Sequence, residues 1–144
     1  MNLLENPITN KEFIVSLIPQ KQPFVMVDSL LYYSNDKVVS GLTILKDNLF
    51  SSKNLFNESG LVENMAQTTA LYSGYQFFLK KEPVPTGYIG AITKVEIFEL
   101  PKVGDRITTT TTIVYEIMNV TLIKSSVEYY GRIIASSEMK IVLA

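Results

Sequence analysis

Residues 59–79, SGLVENMAQTTALYSGYQFFL, decide how this chain folds. Leu61, Val62, Met65, Ala66, Thr69, Ala70, Tyr72 and Phe77 follow one another at helical spacing, yet they cover more than one face. The polar residues that interrupt them are mostly small or uncharged. A helix that is apolar on several sides is wrapped by other structure. Lys80, Lys81 and Glu82 mark its solvated end, where lysines suit the negative pole of the helix dipole. The pattern predicts a long, enclosed helix over about 59–80.

Both flanks of that helix read as strands. Phe24 to Tyr33 and Lys37 to Leu45 are rich in branched and aromatic residues and are separated by the turn formers Ser34, Asn35 and Asp36, which predicts a hairpin. After Pro83 and Pro85, strands are expected over Tyr88 to Leu100, Asp105 to Met118, Thr121 to Tyr130 and Arg132 to Leu143, with Pro101, Gly104, Asn119 and Gly131 in the connections. The run Ile107 to Thr112, ITTTTT, reads as a half-solvated strand, because threonine packs on a pleated surface and tolerates water. Residues 46–58 show no sustained period and read as a loop. Upstream, Thr9 and Glu12 form a capping-box pattern ahead of Phe13, Ile14, Leu17 and Ile18, predicting a short helix over Asn10 to Leu17 that stops before Pro19. The order helix, two strands, loop, long helix, four strands fits an α+β fold in which a curved antiparallel sheet wraps one helix. Its strand edges need protection, and dimerisation by continued sheet pairing would provide it.

Composition narrows the function. With 144 residues, 47% hydrophobic and 19% charged, one domain over 1–144 is expected. Thirteen basic against 14 acidic residues give no bulk attraction to nucleic acid or anionic membrane. The absence of cysteine and histidine leaves no disulfide framework and makes a zinc site an unfavourable expectation, so neither metal nor cofactor is predicted. Residues 64–79 are too polar to span a bilayer, and MNLLENPITNKEF lacks the pattern of a secretory signal. A cytoplasmic protein is expected. TGYIGAIT lacks the spacing and following helix of a dinucleotide site, and no nucleophile elbow or phosphate loop is present.

Glu63 is the foremost candidate for chemistry. It sits in the first turns of the long helix beside Leu61, Val62, Met65 and Ala66, where a charge needs partners or a task; the plain alternative is a solvated glutamate favoured near a helix start. Gln67, four residues on, shares its side of the helix and either orients that carboxylate or satisfies a buried backbone group. Gln20 and Gln22 can orient or polarise but cannot exchange protons, and Lys21 between them reads as a solvent-facing turn lysine or a phosphate partner. Gly87, Gly90 and Ala91 permit close backbone approach, whether by a ligand or by tight strand packing.

Three segments together, PQKQPFVMVD, ENMAQTTALYSGY and GYIGAITKVEIFELPKVGDRI, resemble the successive signatures of the hotdog-fold 3-hydroxyacyl-[acyl-carrier-protein] dehydratases, including their aryl-polyene-type relatives. The resemblance runs from about Phe13 to Val142. It implies a hotdog fold, Glu63 as the catalytic carboxylate, and Gln20 at the position where the family places a catalytic histidine contributed across a dimer. It also implies that Gly60 at the helix start and Gly90 to Ala91 on the following strand lie where donors hold the enolate-like oxygen. Residues 57–62, Asn-Glu-Ser-Gly-Leu-Val, depart from the Pro-Gly and apolar run common in the family.

The resemblance implies a protein acting on or binding 3-hydroxyacyl thioesters of acyl-carrier protein or coenzyme A. The expected assembly is a homodimer or, alternatively, a heterodimer with a histidine-containing homologue. Tyr72, Tyr75 and Tyr88 are candidate replacement proton donors. Two other functions stay open: a hotdog thioesterase using Glu63 with Gln67 or Gln20, and a non-catalytic binding subunit.

Overall fold

The long helix forms where its apolar pattern predicts. α2 spans Glu58–Lys80 in a computed structural model that describes residues 1–85 and 87–143, apart from the side chains of Tyr88 and Leu143. Asn57 caps it by accepting the Gly60 N–H on its side chain, and Lys81 closes it in the left-handed conformation at φ 57°. Leu61, Asn64, Met65, Gln67, Thr68, Leu71 and Tyr72 are all buried, so the helix is enclosed on several faces as expected.

The enclosure is a six-stranded antiparallel sheet made of β1 (Ser29–Tyr33), β2 (Lys37–Thr43), β5 (Gly87–Ile97), β6 (Arg106–Ile117), β7 (Val120–Tyr129) and β8 (Arg132–Leu143), in the order β1-β2-β6-β7-β8-β5. This is the α+β hotdog arrangement. Along β6, Ile107, Thr109 and Thr111 are buried while Thr108 and Thr110 are only partly covered, so the threonine run alternates as a half-solvated strand should. One core cluster gathers Met26, Phe56, Leu61, Met65 and Met139. A second packs Ile14, Leu17, Leu30 and Tyr33 against Leu71 and Tyr72.

Several details depart from the sequence reading. The first strand begins at Ser29 instead of Phe24, because residues 24–26 give their backbone groups to side chains of α2. Residues 46–58 contain a small hairpin, β3 (Ser51–Ser52) with β4 (Leu55–Phe56), whose two-residue turn places both Lys53 and Asn54 at positive φ. The short helix α1 is Lys11–Ser16, and its cap is Asn10, not Thr9: the Asn10 side chain accepts from Phe13 N at 3.0 Å. Glu12 thereby falls in the first turn instead of closing a box with Thr9.

Two packing features set up the site. A Cβ added to Gly74 would lie 2.0 Å from the carbonyl oxygen of Leu17, so glycine is what lets the end of α1 press on α2. At the outer side of β1, Ile8 and Leu30 exchange backbone hydrogen bonds, Leu3 N donates to Tyr33 O, and Tyr33 N donates to the Asn2 side chain. The amino-terminal segment therefore covers that edge, and β5 forms the other. Among the described residues, no helix is long and apolar enough to cross a membrane.

Candidate active site

Glu63 lies on the second turn of α2, half-buried, and its Oε1 accepts a hydrogen bond from Gln67 Nε2 at 2.8 Å. Gln67 itself is fully buried. Its Oε1 accepts from Met26 N at 2.6 Å and its Nε2 also donates to Phe24 O at 2.8 Å. Because the oxygen must face the Met26 amide, the NH₂ group must face Glu63, and the amide has no freedom to flip. The two roles expected for Gln67 are thus filled together: it orients the carboxylate and satisfies buried backbone groups. No salt bridge neutralises Glu63 among the described residues.

Asn64 belongs to the same framework and was not singled out from the sequence. It is fully buried, donating to Met26 O at 2.8 Å and accepting from Thr109 Oγ1 at 2.5 Å. One turn further, Thr68 Oγ1 donates to Asn64 O and bonds Ser40 Oγ at 2.7 Å. An amide between apolar neighbours of an enclosed helix was the available signal, since such a group must find partners.

Gln20 does not hydrogen-bond Glu63 within the chain. It lines a cavity of about 130 Å³ with Leu17, Ala66, Ala70, Ser73 and Ile89, and its Oε1 is buried without a hydrogen-bond partner among the described residues. Glu63, Ala66, Ala70 and Ser73 are spaced by three and four residues, so the carboxylate stands on the helix face that walls this cavity, one turn nearer the amino terminus. Lys21 instead reaches back to α1, with Nζ 3.3 Å from Val15 O and 3.4 Å from Ile18 O.

The glycines divide. The Gly60 amide is engaged by Asn57 Oδ1 at 2.9 Å, and a Cβ there would meet the Phe56 ring at 2.5 Å, so this residue serves capping and packing. Gly90 sits in a β-bulge: Ile89 pairs with Ile141 and Ala91 with Lys140, leaving Gly90 out of register immediately beyond the cavity wall.

Among the described side chains, Tyr72 and Tyr75 are both engaged away from Glu63. The Tyr72 hydroxyl donates to Asn35 O at 2.5 Å, and burial, reinforced by Tyr33, pushes its pKa up to about 12. Tyr75 packs edge-on against Tyr33 and stacks with Phe78, with ring centroids 4.9 and 5.8 Å away. The Tyr88 side chain lies outside the described residues. Asp28 is structural: its carboxylate pairs with Arg106 at 3.1 Å and accepts from Thr43 N at 2.8 Å.

Comparison with known proteins bears on family and fold. The family described as ApeP dehydratase (ApeP-like) matches over residues 13–142. No curated protein matches the chain. Among solved structures, the dehydratase heterocomplex ApeI:P from Xenorhabdus doucetiae superposes with a TM-score of 0.83 at 15% identity, covering 91% of this chain and 90% of that one. A hypothetical thioesterase with coenzyme A from Streptococcus pneumoniae gives 0.67 at 10% identity, with 92% and 93% covered. The PaaI protein of the Escherichia coli phenylacetic acid degradation operon gives 0.65 at 10% identity, with 78% and 80% covered. At these identities the likeness to solved structures is one of fold.

Proposed function

Since the chain belongs to the ApeP-like dehydratase family, we propose that it binds 3-hydroxyacyl thioesters of acyl-carrier protein or coenzyme A and takes part in their dehydration. The acyl group lies in the cavity beside α2, with Glu63 at its end. One observation carries this reading: a carboxylate held by the buried Gln67 stands on the same helix face as the cavity. In the reaction Glu63 takes the proton next to the thioester carbonyl, the C–O bond to the 3-hydroxyl breaks, and the departing hydroxide leaves as water after receiving a proton. The bulge at Gly90 and Ala91 is the place from which backbone N–H groups stabilise the enolate-like oxygen.

With Gln20 at the family's histidine position, Glu63 must serve as both base and acid, and losing one proton-transfer group costs roughly 10²- to 10⁴-fold. Association with a histidine-containing homologue restores that group. The ApeI:P structure, a heterocomplex, supports this reading, and so does the β5 edge, where Ile89, Ile92 and Val95 are exposed. A homodimer through the same edge is the simpler assembly. Thioester hydrolysis is the second reading, favoured by the lone oriented carboxylate, which can activate water without a histidine.

The test is incubation with a panel of short 3-hydroxyacyl thioesters, following acyl products and free thiol by mass spectrometry with Glu63→Gln as control. Enoyl product abolished in the control supports dehydration. Thiol release abolished in the control establishes hydrolysis, and no product from either protein overturns independent catalysis.

A further inference from the structure

Gln20 carries an anomaly that its position in the family pattern does not explain. Its side-chain oxygen is buried, has no hydrogen-bond partner among the described residues, and belongs to a residue lining the α2 cavity. A buried acceptor left unpaired is disfavoured by about as much as a lost hydrogen bond, so such atoms point to a missing partner. The neighbouring wall residue Thr69 cannot donate to it, because its hydroxyl already gives its hydrogen to Met65 O at 3.1 Å. The opposing helix face is built from Ala66, Ala70 and Ser73, small residues that leave room for a ligand. Leu17, three residues before Gln20, packs closely on α2 at Gly74.

We infer that Gln20 is the specificity-determining residue of this cavity, its side-chain oxygen receiving a hydrogen bond from a hydroxyl on the bound acyl group. The inference rests on the acyl-thioester reading above and deepens it. A hydroxyl has a hydrogen to donate, whereas a ketone at the same carbon has only lone pairs and a methylene has neither. With its amide oxygen turned to the cavity, Gln20 discriminates between oxidation states of an acyl group, and a residue unable to exchange protons still selects the substrate.

The experiment measures calorimetric affinities of the purified protein for three pantetheine conjugates in which an amide replaces the thioester: 3-hydroxybutyryl, 3-oxobutyryl and butyryl. The hydroxyacyl conjugate is expected to bind roughly two- to ten-fold more tightly than either of the others, the worth of one net hydrogen bond. Gln20→Leu is expected to bring it down to the butyryl value while leaving butyryl affinity nearly unchanged. Ala70→Leu, which fills the cavity from the opposite wall, weakens all three and confirms where they sit. Equal wild-type affinities for the three conjugates overturn this inference and leave the acyl-thioester reading standing. No binding of any conjugate by the wild type overturns both.

Discussion

Gln67 gives one amide hydrogen to the Glu63 carboxylate and the other to the Phe24 carbonyl, both at 2.8 Å, so the candidate catalytic group and the segment before β1 are held by one nitrogen. Removing that amide strips partners from the Met26 N–H and the Phe24 C=O as well as from Glu63. Gln67→Leu is expected to lower unfolding stability by about 3 kcal/mol, the cost of buried backbone groups left unpaired. Urea denaturation measures it, and an unchanged midpoint would show that the network is dispensable.

Restoring a titratable group at position 20 gives a gain-of-function test. Gln20→His is expected to raise dehydration of a 3-hydroxyacyl thioester roughly 10²-fold, with a new rate dependence near pH 6.5. The gain should vanish in the Gln20→His, Glu63→Gln double variant. A flat pH profile in the single variant would mean that position 20 does not reach the reacting atoms.

Gly74 supports the Leu17–Gln20 turn from the far side of the cavity wall. A Cβ there meets backbone, the Leu17 carbonyl at 2.0 Å, and backbone cannot rotate away. Gly74→Ala is expected to destabilise by about 2–3 kcal/mol, despite alanine's better helix propensity, because overpacking outweighs that gain. Thermal unfolding alongside the Gln20 affinities would show both effects; a stabilised variant would mean that α1 moves freely.

The pH dependence has a worked sign. Hydrogen bonds from Tyr129 and then Tyr130 hold the Asp105 carboxyl below its ordinary 3.8, and Arg132 holds Glu99 below 4.5 in the same way. Groups with depressed folded pKa values contribute stability that is present above those ordinary values and lost as pH falls below them. The same bonds raise both tyrosines above 10.0, first through Asp105, so that contribution is present below pH 10 and is lost as pH rises further. Asp105→Asn should flatten both limbs of a plot of unfolding midpoint against pH. If either limb keeps its wild-type slope, other groups govern it.

The sequence disclosed those elements whose burial repeats along the chain. The enclosed helix is 58–80 against an expected 59–80, and β8 starts just after the turn residue Gly131 and has the bounds expected of it. Phe24 to Asp28 were misassigned to a strand because Met26 bonds side chains of α2, Gln67 being 41 residues away, and pairing of that kind has no local period. Asp28 and Arg106, from two different signature segments, meet as an ion pair 78 residues apart, a structural link between those segments that no local period reveals. In the site, the spacing of four placed Glu63 and Gln67 on one side of α2, and the two do hydrogen-bond there. For Gly60, which the resemblance puts where donors hold the enolate-like oxygen, the structure shows an amide engaged by the Asn57 cap, a use that depends on the side chain three residues earlier.

The coverage of β1 by the amino-terminal segment has a consequence for growth. A sheet with two bare margins can template a chain of copies without end, whereas this one is sealed along β1 by Leu3, Ile8 and Asn2 and, among the described residues, ends uncovered at β5. Whatever docks on β5, whether a second copy or a related chain, occupies the margin that the six-stranded sheet leaves open among the described residues, so association by strand addition to that sheet stops at a pair.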